Sequence, residues 1–349
     1  MKTGYLNYIH YFRGFSIILI IAIHCRNSFS WEFHRYEQKV WISLLDNATI
    51  LFVFIAGFLF QYLNSSKFDF LKYFRRKLKF VMLPYLIVSI PAIIANLISQ
   101  EIQPWIPESI QDSMVLQVLY MILTGKHLGP LWFMPMIFVF YVISPLLIKL
   151  DNKYFYFGVF PILFVAGLFT FRFGYFSNTW HSFVYFLPIY FFGMFASHYH
   201  EDILNMRNKL FIPLTMIFLT ITLLHIEDII EVPRLTSFQS AETLPIFAFN
   251  FTKLKMSLLS IILILAFYYM RKRSFPALNK LGDLSFGIYF IHMYLIILLR
   301  YFIVYFIPDF SFSTLTFLVF TTIIMIWSYY SIRIAKWMFK EKSRMLIGS

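Results

Sequence analysis

About ten apolar segments, separated by short polar or proline-containing breaks, are the feature that most constrains how this chain can fold. A helix needs about 20 mostly apolar residues to cross the hydrocarbon core of a bilayer, and most of the segments are close to that length. We therefore predict an all-α, polytopic transmembrane helix bundle of about ten spans. The predicted spans are 8–27, 42–63, 80–99, 130–149, 155–171, 183–198, 210–225, 254–270, 284–306 and 313–332.

The composition excludes a soluble globular domain. Of the 349 residues, 60% are hydrophobic and only 13% are charged, whereas charged residues make up about a quarter of a typical soluble domain. Ten spans take up roughly 200 positions and leave only short connections. We therefore expect a single integral-membrane domain over residues 1–349, with no appended extracytoplasmic domain. The apolar segment 115–123 is too short to cross and is predicted to be interfacial or re-entrant.

The basic residues predict the orientation of the bundle. With the N-terminus in the cytoplasm, 20 of the 30 lysines and arginines fall on the cytoplasmic side, and 8 fall on the outer side, Lys253 and Lys255 among them. This asymmetry follows the positive-inside rule, and an even number of spans then places both termini in the cytoplasm. The net charge of +13 is explained in this way and does not indicate nucleic-acid binding.

Cysteine content and the start of the chain narrow the possibilities further. Cys25 is the single cysteine, which excludes an internal disulfide and a cysteine-rich metal site, and no metal site is predicted. No small-residue cleavage site follows the first apolar run, so this run is predicted to be a retained first helix.

Arg13 and His24 are the polar residues of the first span that require a reason. A charged residue inside a membrane costs about 2.5 to 3.5 kcal/mol on insertion scales. Eleven residues of helix bring the two side chains to within about 20° of one face and separate them by roughly 16 Å along the axis. The first helix thus carries a cation near its inner end and an imidazole near its outer end. Alternatively, Arg13 reaches the cytoplasmic headgroups and His24 is an interfacial histidine.

Two further groups of polar residues lie beside the spans. The run Arg75-Arg76-Lys77 is either a positive-inside signal or a phosphate-binding patch. His127 and Trp132 precede the fourth span, where Trp132 is either part of the interfacial aromatic belt or, with His127, part of an acceptor site.

The ninth span carries three polar side chains. Tyr289 and His292 are three residues apart and therefore share a face of the helix. Arg300 follows about two turns later in an otherwise apolar stretch. Polar groups at such positions usually mark a substrate pathway or a site of chemistry.

Four motifs follow one another along nearly the whole chain. They are Asn7-Tyr8 to Arg13-Gly14 with His24 beyond it, Phe52 to Leu59, Leu131-Trp132-Phe133 to Pro145, and Leu284 to His292. Together and in this order they resemble the acyltransferase family 3 integral membrane proteins, a group that includes bacterial surface-polysaccharide O-acetyltransferases such as the one that modifies enterobacterial common antigen. The chain departs from the family at Ala56, where serine is usual, and at Asn7, where aspartate is common.

The resemblance implies a membrane-bound enzyme in the bacterial cytoplasmic membrane. It would move an acyl group from cytoplasmic acyl-CoA, with acetyl-CoA the expected donor, to a hydroxyl of a cell-surface or lipid-linked polysaccharide. No permanently bound cofactor is expected, and the partners would be acyl-CoA, the glycan and membrane lipids.

The resemblance and the geometry of the first helix together suggest roles for the site residues. His24 would act as general base or carry the acyl group, and Arg13 would take part in catalysis. Arg13, Arg75 and Arg76 would hold the donor phosphates. The acceptor would contact the remaining candidates, which are His127, Trp132, Tyr289, His292 and Arg300.

A transporter is the competing interpretation. A flippase for lipid-linked glycans, or an exporter of a polysaccharide, would also need polar side chains along a path through the membrane. Arg13, His24, His292 and Arg300 fit that description equally well at the level of sequence.

Overall fold

The structure is a computed structural model that describes residues 6–65, 67–99, 103–172, 177–230 and 248–349. Within these ranges the regular structure is helical and no extended strand is present. The helices are α1 (Asn7–Arg26), α2 (Arg35–Leu45), α3 (Thr49–Asn64), α4 (Phe70–Lys77), α5 (Leu83–Ile98), α6 (Met114–Thr124), α7 (Phe133–Val142), α8 (Ser144–Lys149), α9 (Phe160–Gly167), α10 (Thr179–His198), α11 (His200–Asn205), α12 (Arg207–Ile226), α13 (Phe251–Tyr269), α14 (Pro276–Phe306), α15 (Thr314–Phe339) and α16 (Ser343–Leu346).

The polytopic helical architecture is confirmed. Among the described residues, seven helical segments are long and apolar enough to cross a membrane. The three other predicted spans are helical too, as the segments Gly129–Val142 and Phe155–Gly167 and the 20-residue helix α10. The seven segments are Asn7–Arg26, Arg35–Asn64, Phe70–Ile98, Arg207–Ile226, Phe251–Tyr269, Pro276–Phe306 and Thr314–Leu346.

The predicted short segment 115–123 is helix α6, which has defined ends. The Ser113 side chain accepts a hydrogen bond from the Leu116 amide and so begins the helix. Gly125, with a φ of +67°, ends it in the left-handed conformation that glycine adopts without cost. At 11 residues the helix is too short to span a bilayer.

Two pairs of helices approach very closely through glycine. A Cβ built on Gly57 of α3 would lie 2.1 Å from the Tyr190 carbonyl oxygen of α10, and one built on Gly193 would lie 2.0 Å from that of Phe54. Small residues such as these allow membrane helices to pack backbone to backbone. Gly14 of α1 meets α14 in the same way, with a built Cβ 2.2 Å from the Leu278 carbonyl oxygen.

Lys253 and Lys255 were counted among the charges of the outer side, but the structure buries them within a helix. Both lie in the first turns of α13 and have no exposed surface. The Lys253 ammonium donates to the Gly167 carbonyl at 2.7 Å, the Tyr185 carbonyl at 2.7 Å and the Thr170 hydroxyl at 3.0 Å. These oxygens compensate for the lost hydration, so the lysine is tolerated in the core.

Candidate active site

Arg13 and His24 lie on α1, where both face α14. The Arg13 guanidinium donates to the Ser285 hydroxyl at 2.9 Å, and that hydroxyl donates to the Gly282 carbonyl at 2.9 Å. Further along the helix, the ring centroids of His24 and His292 are 5.3 Å apart. Because the Gly14 contact holds α1 directly on α14, these two pairs mark two levels of one helix interface.

Arg13 also faces a large basic cavity, which has a volume of about 1370 Å³. Asp69 and Asp283 are the carboxylates that line it. The surplus of positive charge makes the cavity suited to a polyanionic ligand. The cationic residues of this basic cavity are Arg13, Lys67, Lys72, Arg76, Lys77, Lys280, Arg333, Lys336 and Arg344.

Aromatic rings hold some of these cations in place. The Lys77 ammonium lies 4.7 Å from the centroid of the Tyr141 ring and 5.3 Å from that of Tyr73. The Arg344 guanidinium lies 4.6 Å from the centroid of Phe80. Such cation–π contacts fix a cationic side chain without neutralising its charge. The cavity therefore combines positioned cations with flat apolar surfaces.

One part of the cavity lining is apolar and leads toward the histidines. Phe133 and Ile137 of α7 form part of the lining. The Phe133 ring lies 5.8 Å from that of Tyr289, which in turn lies 6.0 Å from that of His292. A single aromatic ring thus stands between the wall of the basic cavity and the histidine pair.

Hydrogen bonding fixes the tautomer of His292. Its Nδ1 lies 2.8 Å from the Tyr289 carbonyl and 3.2 Å from the Ile288 carbonyl. A carbonyl can only accept, so Nδ1 carries the proton and, in the neutral ring, the lone pair is on Nε2. Among the described residues, nothing hydrogen-bonds to this Nε2. His292 is fully buried, whereas His24 beside it is partly exposed.

The turn before α7 carries His127 and Trp132 and is bonded to Tyr289, the neighbour of His292. The Tyr289 hydroxyl donates to the Pro130 carbonyl. The Trp132 indole is stacked with Phe186 at 5.8 Å. His127 donates from Nδ1 to the Met121 carbonyl at 2.9 Å, and burial lowers its pKa to about 4, so its imidazole is neutral at pH 7.

Two predicted residues lie apart from the others. Arg75 is exposed and is not among the residues that line the basic cavity, although Arg76 and Lys77 are. Successive residues of a helix are rotated by about 100°, so three consecutive cations cannot all face one cavity. Arg300 is exposed on α14, beyond the level of His292.

Sequence reasoning missed several residues of the site. Ser285, the partner of Arg13, was part of a motif but was given no role of its own. The cavity cations Lys280, Arg333, Lys336 and Arg344 were counted only as cytoplasmic charges. These cations cluster near the ends of three different helices, and this clustering could have indicated a binding site. It was instead explained by the positive-inside rule, which also predicts basic residues at cytoplasmic helix ends.

The fold and site define a polytopic membrane protein with a basic cavity at one end and a histidine pair deeper in the bundle. A family model described as an acyltransferase domain matches residues 6–333, so the chain belongs to acyltransferase family 3. No match was found among curated proteins or among solved structures. The protein is therefore a multi-pass membrane acyltransferase.

Proposed function

We propose that this acyltransferase moves an acyl group, most simply acetyl, from acyl-CoA to a hydroxyl of a cell-surface or lipid-linked polysaccharide. The observation that carries the proposal is the arrangement of the basic cavity, an apolar wall and the His24–His292 pair in sequence along the bundle. Membrane lipids surround the protein, and the donor is a substrate that leaves after each turnover.

The basic cavity suits the phosphates of coenzyme A. Lysine and arginine form charge-assisted hydrogen bonds with phosphate oxygens, and arginine can do so through two nitrogens at once. Arg13 lies where the cavity meets the α1–α14 interface, since it lines the cavity and bonds Ser285. The acyl-bearing arm would then extend along the apolar wall formed by Phe133 and Ile137, toward Tyr289.

The chemistry assigned to His24 is transfer of a proton from the acceptor hydroxyl. As that oxygen attacks the thioester carbonyl, a C–O bond forms and the C–S bond breaks. The proton passes through the imidazole to the departing thiolate, so the histidine is regenerated. The lone pair on Nε2 of His292 provides a neighbouring acceptor that orients His24 or shares this proton.

Covalent catalysis is the alternative route for the same residues. His24 would first take the acyl group as an acyl-imidazole and then pass it to the hydroxyl. Rapid acid quenching followed by mass spectrometry of the peptide that contains His24 distinguishes the two routes. An acyl adduct that forms without acceptor and disappears when acceptor is added supports the covalent route.

The orientation proposed from sequence fits this donor route. The basic cavity collects residues that the charge asymmetry assigns to the cytoplasm, among them Lys72, Arg76 and Arg333. Acyl-CoA is a cytoplasmic metabolite, so the cavity would face its source. The His24 end of α1 would then lie toward the outer surface, where a surface or lipid-linked glycan is presented.

Incubation of the purified protein with radiolabelled acetyl-CoA and a glycan acceptor tests the proposal. Label recovered in the glycan supports acyl transfer, because a flippase or exporter moves the glycan without modifying it. Movement of the glycan across vesicles with no label incorporated would instead support the transporter. Mass spectrometry of surface glycans from a deletion strain would identify the acceptor and distinguish acetyl from succinyl.

A further inference from the structure

Two cations that the sequence analysis did not assign to a site, Lys126 and Arg172, lie on segments that pack against Trp132, beyond the apolar wall of the basic cavity. The Arg172 guanidinium is stacked on the Trp132 indole, with its Cζ 3.4 Å from the ring centroid. Lys126 follows Gly125, and a Cβ built on Gly125 would lie 2.7 Å from the Trp132 Cα. The backbone next to Lys126 therefore packs on the backbone of the tryptophan whose ring carries Arg172.

Lys126 has unusual surroundings for a buried cation. Only 8% of the residue is exposed, and its ammonium lies 5.8 Å from the centroid of the Tyr120 ring. Among the described residues, no carboxylate lies within ion-pair distance of it. Its burial, and then the charge of Arg172, lower its pKa. The positive charge of Arg172 therefore acts on the Lys126 ammonium.

Lys253 shows how this fold satisfies a lysine that has only a structural role. Its ammonium donates to three oxygens of the protein. Among the described residues, no such set of oxygens surrounds the Lys126 ammonium. Its contact is with the aromatic ring of Tyr120. The Lys126 ammonium is thus left without an oxygen or an anion of the described residues as a partner. A bound anion would supply that partner.

The elements that carry the two cations are tied together. The Thr179 hydroxyl at the start of α10 donates to the Leu123 carbonyl near the end of α6 at 2.8 Å. The Arg172 Nε donates to the Ser182 hydroxyl of α10 at 3.2 Å. The position of Arg172 relative to Lys126 is thus set by α6 and α10, and Trp132 lies between these elements.

This pair of cations lies close to the proposed chemistry. The Tyr289 hydroxyl donates to the carbonyl of Pro130, two residues before Trp132, and the Tyr289 ring lies 6.0 Å from His292. Arg172 already covers the Trp132 indole, so the tryptophan is better suited to positioning Arg172 than to stacking on a sugar. An anionic group of the acceptor that is bound by Lys126 and Arg172 would therefore lie near a hydroxyl of the same acceptor that is presented to His24 and His292.

We propose that Lys126 and Arg172 form an oxyanion-binding site for the acceptor, with a carboxylate or phosphate of the glycan as its ligand. The inference rests on the proposed function and narrows it, because it predicts an acidic acceptor. Binding of the anion would anchor the glycan and leave a neighbouring hydroxyl at His24.

Three acceptors distinguish the sources of the anion in transfer assays with acetyl-CoA. They are a uronic-acid oligosaccharide, the same oligosaccharide with its carboxyl groups reduced to alcohols, and a lipid-linked glycosyl pyrophosphate. We expect transfer to one or both charged acceptors at a KM well below that of the reduced one. The charged acceptor that is preferred identifies carboxylate or phosphate as the ligand.

Variants of Lys126 then test the site itself. Lys126→Gln should raise the KM of the charged acceptor about tenfold or more, the usual loss for one charge-assisted hydrogen bond, and leave the KM of acetyl-CoA unchanged. Lys126→Arg, which keeps the charge, should restore most of the affinity. Lys153→Gln is the matched control, because Lys153 also lies over a ring, at 5.1 Å from Tyr154, but is exposed.

The possible failures are distinguishable. Equal KM values for the charged and reduced oligosaccharides in the unmodified protein would overturn the oxyanion site but not acyl transfer. The same holds if Lys126→Gln and Lys153→Gln behave alike. Calorimetric binding of the uronic-acid oligosaccharide that depends on Lys126, with no transfer to any acceptor, would keep the site and overturn the proposed function.

Discussion

At the scale of single residues, the decisive contact is between the rings of His24 and His292, 5.3 Å apart. His24→Ala removes the proposed base or acyl carrier and leaves Arg13 and its Ser285 bond untouched. General acid–base catalysis contributes about 10²- to 10⁴-fold, so we expect kcat to fall by at least about 100-fold. The measurement is transfer of radiolabelled acetyl to the glycan, at matched levels of folded protein.

The control for His24 is another histidine at the same end of α1. His34 pairs with Glu37 at 2.9 Å, and 40% of its side chain is exposed. His34→Ala should therefore retain transfer. A His24→Ala protein that acetylates as well as the His34→Ala protein would remove His24 from the mechanism.

Arg13 is predicted to act on the donor. Arg13→Ala removes a cation from the wall of the basic cavity, and charge-assisted hydrogen bonds are worth about 1.5–3 kcal/mol, so we expect the KM of acetyl-CoA to rise about tenfold or more. Arg13→Lys should recover part of this loss, because it keeps the charge without the planar guanidinium. Steady-state kinetics with varied acetyl-CoA measure both effects.

Arg35→Ala is the comparison for Arg13, since Arg35 is exposed at the start of α2. An unchanged KM in both alanine variants would remove Arg13 from donor binding and favour a role at the lipid headgroups. That was the alternative left open by its position near the end of a span.

At the scale of elements, the close α3–α10 contact should limit what residue 57 can be. Gly57→Val places a branched side chain where even a Cβ would lie 2.1 Å from the Tyr190 carbonyl oxygen. Overpacking a core costs about 1–3 kcal/mol and sometimes more, so the variant should unfold at lower temperature in detergent. Gly158→Ala is the control, because a built Cβ there meets nothing within 4 Å. Equal unfolding temperatures for the two variants would contradict the close helix packing.

The elements also show how far the sequence alone could lead. Apolar length predicts where helices lie, and helical periodicity places Arg13 and His24 on one face of α1. Neither predicts that α14 brings His292 against His24, because that contact depends on how two distant helices pack through Gly14. The burial of Lys253 was missed for a related reason: its partners Gly167 and Tyr185 belong to other elements, and no local pattern reveals them.

At the scale of the whole molecule, the remaining prediction is the side of the membrane on which the basic cavity opens. Cys25 is buried and is the single cysteine, so Cys25→Ala provides a background for single-cysteine labelling. Lys153→Cys reports the basic end, because it follows Asp151, which accepts from Gln61 near the end of α3 at 3.1 Å. Glu32→Cys reports the opposite end, since this exposed residue follows α1.

In intact cells, a membrane-impermeant maleimide should label the Glu32→Cys protein and not the Lys153→Cys protein. After the cells are permeabilised, both should react. This outcome follows from the charge asymmetry, because lysine and arginine near the ends of spans are retained on the cytoplasmic side. The reverse pattern would place the basic cavity outside, away from cytoplasmic acyl-CoA, and the donor route through Arg13 would have to be abandoned even if His24 proved essential.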